Sequence, residues 1–163
     1  VSPLHKRITS RVLGLEEEKG RVLPPLIDTE KFSNQHRERD IENLFIGVLS
    51  EAKGLENMRK MFSKKSITLI GRSVDGRKPG FGDYLGQVSY EKVPEYMNRA
   101  RNFVFMPRWP EPQGRVVVEA ALCGCNLILN ENVGADSFGF ELDQPENLLD
   151  VEEEFWDELE QIR

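Results

Sequence analysis

The run from Phe103 to Leu129, FVFMPRWPEPQGRVVVEAALCGCNLIL, constrains this chain more than any other stretch. An apolar segment of strand character, Phe103 to Met106, runs into a proline-broken loop, Pro107 to Pro112. Gly114 then opens a segment of helical character that carries Glu119, and Cys123-Gly124 closes it before a second apolar run, Asn126 to Leu129. A strand–loop–helix–strand unit of this kind aims free backbone N–H groups at whatever lies above the loop, and those groups favour anions such as phosphate. A second carboxylate, Glu111, stands in the loop, with seven residues between it and Glu119. Two carboxylates flanking an anion site suit a ligand with phosphates at one point and hydroxyls on either side. A nucleotide sugar answers that description.

The rest of the chain repeats the alternation. Asn43 to Leu49 is a continuous apolar run, read as a strand over 44–49 covered on both faces. Further strands are expected at 66–70, 103–106 and 126–129, with a short one at Tyr84 to Val88. Leu55, Met58, Met61 and Phe62 form one helical stripe over Gly54 to Phe62, and Val93, Tyr96, Met97 and Ala100 another over Glu91 to Ala100. Leu4, Ile8, Val12 and Leu15 have the spacing of a short helix over Ser2 to Leu15. Arg21 to Ile27 is held extended by its prolines. The stretch from Arg72 to Asp83 is rich in Gly, Pro and Asp and is read as loop. The expected fold class is therefore α/β: an open, Rossmann-like, mostly parallel sheet with helices on both faces, binding its ligand beyond the carboxyl ends of the strands. Residues 1–163 form one donor-type binding domain in this reading, with 1–40 as a lead-in segment and 145–163 as an acidic C-terminal helix offering Phe155, Trp156, Leu159 and Ile162 for packing.

Size and charge narrow the function. A chain of 163 residues buries roughly 70% of its unfolded surface. A net charge of −6 argues against a nucleic-acid partner read by bulk charge, but leaves room for a small anion held by local cations. No apolar run approaches the roughly 20 residues that span a bilayer, and no signal-peptide pattern is seen in the opening residues. Cys123 and Cys125 are too close to staple a fold and are read as buried thiols of a reducing compartment. VSPLHKRITS reads like the middle of a longer protein, so an excised domain or fragment is expected.

Two tempting motifs fail. Gly71-x(4)-Gly76 is followed by Arg77 rather than by Lys and a hydroxyl residue, and Pro79 blocks the helix that a P-loop needs. His5 and His36 have no carboxylate or cysteine at ligand spacing, and no Asp-x-Asp occurs, so no metal and no cofactor are expected.

By these residues the chain resembles the donor-binding, C-terminal half of retaining GT-B glycosyltransferases of the group 1 (family four) type, which include mannosyl- and glucosyltransferases. VLPPLIDTEKF is similar to the segment ending in D-x-x-x-F that leads into this half. FIGVLSEAKG resembles its Gly-x(5)-Lys-Gly loop. VSYEKVPEYMNRARNFVFMP looks like the strand, helix and strand before the site. EPQGRVVVEAALCG is similar to the Glu-x-Phe-Gly-x(4)-Glu-Ala motif.

The resemblance implies roles. Glu111, the catalytic candidate, faces the donor sugar and steadies positive charge developing near the anomeric carbon. Glu119, about 7.5 Å along the helix from Gly114, reaches the ribose hydroxyls. Lys53 pairs with the diphosphate. Pro112, Gln113, Gly114 and Arg115 supply the tight approach, with the backbone N–H groups of Gly114, Arg115 and Val116 turned to the phosphates. Gly71 and Arg72 turn beneath base and phosphates, and Val88 either lines the base pocket or packs in the core. The chain departs from the pattern twice. Val48 stands where an arginine is usual, with Arg72, Arg108 or Arg115 as candidate substitutes, and Gln113 stands where an aromatic is usual.

The expected activity is transfer of a hexosyl group from a nucleoside-diphosphate sugar, with a missing N-terminal acceptor domain as partner and this half inactive alone. The expected location is cytoplasmic, with any contact to the inner face of the membrane made through the missing half. The alternatives are a non-catalytic nucleotide-sugar binding module and a sugar-nucleotide epimerase on the same scaffold.

Overall fold

The computed structural model of the protein describes residues 1–62 and 66–161. Helix α1 (Pro3–Leu13) precedes strand β1 (Ile41–Ile46), helix α2 (Leu55–Phe62) and strands β2 (Thr68–Ile70) and β3 (Asp83–Gly86). Helix α3 (Val93–Arg99), strand β4 (Ala100–Phe105), helix α4 (Arg115–Leu122), strand β5 (Asn126–Leu129) and helix α5 (Val151–Gln161) complete the fold. The five strands form one sheet in the order β3-β2-β1-β4-β5, and every pairing is parallel. The open parallel α/β sheet read from the sequence is the observed architecture.

The strand order has a physical consequence. From β1 the chain moves outward through β2 to β3, then crosses back to β4 and continues the other way to β5. Right-handed crossovers place the helices of the two directions on opposite faces of the sheet, so the order reverses between β1 and β4. A crevice opens above the carboxyl ends of those two strands.

β1 and β4 are inner strands, which is why their C-terminal halves, Leu44–Ile46 and Phe103–Phe105, are continuous apolar runs. Leu44, Phe45, Leu69, Phe103 and Val104 are fully buried, and Phe45 stacks on Phe105 across the pair. A ladder of asparagines holds the register at the other end of the sheet. Asn43 is paired with Asn102, and Asn102 with Asn126. Asn102 Nδ2 donates to Asn43 Oδ1 at 3.1 Å, Asn126 Nδ2 to Asn102 Oδ1 at 3.4 Å, and Asn43 Nδ2 to the Ser66 carbonyl at 2.7 Å. A one-residue slip would strand the buried Asn43 amide without its partners.

Several boundaries moved. β1 starts and ends three residues earlier than the expected 44–49, and beyond Ile46 the pairing thins to the Gly47 N–H on Ile70 O and an isolated bridge from Leu49 to Ser73. The helix expected over Glu91 to Ala100 is a 3-10 turn, Tyr90–Lys92, leading into α3, and Ala100 already belongs to β4. The C-terminal helix is shorter than 145–163. Pro145–Leu148 is a separate 3-10 turn, and α5 leaves Phe155, Trp156 and Leu159 largely exposed. Ile162 lies outside the described residues. Val12, Leu15 and Met61 also face solvent, so their helical spacing did not mark a buried stripe.

Phe32 and Arg39 are among the residues that tie the lead-in segment to the domain. Phe32 is fully buried, its turn closed by Asp28, whose carbonyl accepts from Phe32 N and whose Oδ1 accepts from Lys31 N. Arg39 donates to the carbonyls of Ala100 and Cys123, joining the end of α3 to the end of α4.

Candidate functional site

The crevice above β1 and β4 is a cleft of about 350 Å³. Its floor is the ends of β1 (Ile46, followed by Gly47) and of β4 (Phe105), and its walls are Val48, Lys53, Tyr90, Val93, Glu111, Gly114, Arg115, Val116 and Glu119. Of the residues singled out in the sequence, Lys53, Glu111, Gly114, Arg115, Val116 and Glu119 meet here.

Lys53 is delivered by the turn between β1 and α2. Its backbone N–H donates to the Ser50 carbonyl, and the Arg108 N–H donates to Ala52 O at 3.0 Å, fastening that turn to the loop after β4. The Lys53 ammonium forms an ion pair with Oε2 of Glu111 and stands 5.5 Å from the Phe105 ring centroid.

Glu111 is not a freely solvated loop residue. Its N–H donates to Asn132 O at 2.7 Å and its carbonyl accepts from Gly134 N at 3.1 Å, a short parallel bridge to the segment after β5. The side-chain amides of Asn130 and Asn132 both donate to the Pro107 carbonyl and hold the loop open. From the other side Ser2 N donates to Pro112 O at 2.8 Å, so the start of α1 braces the same loop.

Gly114 caps α4 with φ +71°, the left-handed conformation that glycine adopts without cost. A side chain there would also lie 3.4 Å from the Ala135 methyl. The first turn of α4 opens into the cleft through Gly114, Arg115 and Val116.

Glu119 is the buried charge of the site, only 5% exposed. Its Oε1 accepts from the Tyr90 hydroxyl at 2.8 Å, and Arg115 Nη2 stands 3.6 Å from the same oxygen. Burial raises its carboxyl above the usual range, against the opposing pull of Tyr90, Arg115 and Lys31. Burial, followed by the adjacent carboxylate, pushes the Tyr90 hydroxyl up to about 12.

This cleft sits on a known frame. No protein-family model matches the sequence, and no curated protein matches it. Solved structures do match. HepE from Anabaena, in complex with UDP and glucose, superposes with a TM-score of 0.65 at 18% identity, over 83% of this chain and 44% of HepE. Sucrose-phosphate synthase from Thermosynechococcus elongatus gives 0.65 at 20% identity, over 82% of this chain and 40% of the synthase. AviGT4, a glycosyltransferase involved in avilamycin A biosynthesis, gives 0.60 at 20%, over 71% of this chain and 40% of its own. The chain has the fold of one half of a GT-B glycosyltransferase. It spans less than half the length of each of these structures.

The GT-B half-fold leaves four of the sequence-derived residues off the cleft wall. Gly71 follows β2, and a side chain there would come within 1.8 Å of the Gly47 carbonyl, so close strand approach is reason enough for its glycine. Arg72 is exposed and contributes its carbonyl to Leu49 N. Val88 packs against the core. Gln113 lines a separate apolar groove beside Val1, Leu23, Phe155 and Trp156. Among the candidate substitutes for an arginine at 48, only Arg115 lines the cleft. Arg108 is exposed with Nη1 3.7 Å from Glu51. Val48 itself is an apolar part of the wall, 38% exposed.

Tyr90 and Val93 were missed as site residues. Val93 reads as core by its helical spacing. Tyr90 carries no local signal, because its partner lies 29 residues on, on a different helix. Cys123 and Cys125 are free and buried, and burial drives both thiols up, to about 12 and about 11. Such thiols are unreactive. Among the described residues no helix is long and apolar enough to cross a membrane.

Proposed function

We propose that this chain is the donor-binding half of a retaining glycosyltransferase, which moves a mannosyl- or glucosyl-like group from a nucleoside-diphosphate sugar to an acceptor. The observation that carries the reading is the convergence of Lys53, Glu111, Arg115 and Glu119 around the first turn of α4, at the point where the strand order reverses. The diphosphate rests on that helix start with Lys53 and Arg115 as its cations, in place of a divalent ion. Glu119 takes the ribose hydroxyls. Glu111 takes the sugar and faces the positive charge that grows at the anomeric carbon as the diphosphate leaves. The acceptor attacks from the leaving-group face, so configuration is retained.

The chain length supports a partner. HepE crystallises with UDP and with UDP-glucose, and this chain covers 43–44% of it. In our reading an N-terminal acceptor half closes over the cleft, excludes water and completes the donor contacts. These 163 residues alone bind donor weakly and transfer no sugar. Adding back the partner half restores transfer.

A thermal-shift series with UDP, GDP, ADP and their sugar conjugates tests the proposal. Sugar nucleotides should raise the midpoint more than the bare diphosphates. A chain that none of them stabilises is not a donor half. A second reading, a non-catalytic nucleotide-sugar binding module, is favoured by the apolar Val48 in the cleft wall. It gives the same shifts but no transfer once the partner half is supplied.

A further inference from the structure

The cleft contains a side chain that the donor reading leaves without a role. Tyr90 stands in the 3-10 turn before α3, and its ring packs against the fully buried Phe32 with centroids 5.5 Å apart. The Lys31 ammonium lies 4.2 Å from the ring centroid and is itself tied to Glu91 at 2.7 Å. The ring is thus held by the lead-in segment, and its hydroxyl reaches across to α4 to donate to Oε1 of Glu119 at 2.8 Å.

The two oxygens of that carboxylate are not equivalent. Both contacts, Tyr90 at 2.8 Å and Arg115 at 3.6 Å, fall on Oε1. Among the described residues Oε2 has no hydrogen-bond partner, yet it is not one of the buried polar atoms sealed from solvent. An ionised carboxylate has acceptor capacity on both oxygens. Here one oxygen is engaged by the protein and the other is left for a ligand.

We propose that Tyr90 is the positioning residue of the ribose subsite: by holding Oε1 of Glu119 it presents Oε2 in one orientation to a hydroxyl of the ligand's vicinal diol. This rests on the donor-binding reading of the cleft and adds to it a determinant of preference for ribonucleotides. A glutamate side chain has several rotatable bonds, and fixing them on binding costs affinity. The Tyr90 contact fixes them in the folded protein instead, so a ligand hydroxyl meets a carboxylate already in place. The aromatic contact to Phe32 and the cation over the ring serve the same end, because a mobile tyrosine would fix nothing.

Calorimetry on the whole chain with UDP, GDP and ADP, each beside its 2′,3′-dideoxy counterpart, separates positioning from packing. The wild type should favour the ribonucleotide by about 10-fold, one hydrogen bond to a charged group. Glu119→Gln should bring the ratio close to one. Tyr90→Phe keeps the ring against Phe32 and loses only the hydroxyl, and it should lower the ratio to about 2- to 3-fold. A purely structural tyrosine would weaken both ligands by the same factor, so an unchanged ratio in Tyr90→Phe overturns the assignment while leaving the donor reading intact. Tighter ribonucleotide binding by Tyr90→Phe also overturns it, since the hydroxyl would then be a competitor. A wild type that binds none of the six nucleotides overturns the donor reading and this inference together.

Discussion

Lys53 and Glu111, 58 residues apart, form an ion pair across the cleft. Their side chains are 31% and 22% exposed, so the pair is partly desolvated and partly screened. In the proposed donor complex these two groups serve different parts of one ligand, Lys53 the diphosphate and Glu111 the sugar. Without a ligand each neutralises the other, and any anion that recruits Lys53 competes with Glu111.

That competition has a sign. Glu111→Gln frees the ammonium, so a bare nucleoside diphosphate should bind about 3- to 5-fold tighter, the worth of a partly exposed ion pair. The sugar nucleotide should gain less or lose affinity, because its sugar contact is weakened. Titration calorimetry with both ligands reads the difference directly. Equal loss for the two would mean that the pair does not lie between diphosphate and sugar.

Lys53→Met should act in the opposite direction. Removing a charge-assisted hydrogen bond is expected to weaken nucleoside diphosphates and sugar nucleotides alike by about 10-fold or more. The variant's affinity should also depend less on salt. Affinities and salt slopes equal to wild type would remove Lys53 from the phosphate subsite.

For Glu119 the pH dependence runs in two directions. Its carboxyl is raised from 4.5 in the folded chain, chiefly by burial. This group's contribution to folding is therefore complete below the unfolded value of 4.5 and is lost as pH rises through the higher folded value. Glu119→Gln should remove the fall in stability between 4.5 and the folded value, and near neutral pH it should be at least as stable as wild type in denaturant titrations. Nucleotide binding needs the ionised carboxylate as acceptor, so wild-type affinity should fall as pH drops through the folded value. A binding curve with no acid limb would exclude Glu119 from the ribose contact.

Gly71→Ala tests the frame rather than the site. The added methyl would lie 1.8 Å from the Gly47 carbonyl oxygen at a backbone φ of +137°. Two central strands would have to separate, and a loss of about 2–4 kcal/mol is expected in chemical denaturation. A loss under ~0.5 kcal/mol would show that β1 and β2 do not approach this closely.

The lesson about reading such a chain is clearest at α4. Gly114, the apolar face of RVVVEAAL and Cys123-Gly124 are all local signals, and the helix lies where they put it. The strand at Asn126–Leu129 is equally local. β1 was misplaced by three residues because Gly47, Val48 and Leu49 are as apolar as the strand before them. Where a strand stops pairing depends on its neighbour, and here only the Gly47 N–H and an isolated bridge at Leu49 continue across.

The site divides in the same way. Glu111, Gly114, Arg115, Val116 and Glu119 lie within one short stretch, and the rise of a single helix relates the last four. The sequence alone therefore determined an α/β chain of alternating strands and helices and an anion-facing helix start flanked by two carboxylates. Lys53 joined them only through a motif resemblance, since no local period connects it to Glu111. What the tertiary structure decided is which of these groups touch: the Lys53–Glu111 pair, the Tyr90 hydroxyl on Glu119, and the removal of Gly71, Arg72, Val88 and Gln113 from the cleft wall. Those contacts depend on strand order, register and crossover, which bring together residues 29 or 58 positions apart. Local propensity acts over a few residues, whereas the closing of such long loops is settled by the burial of the whole sheet.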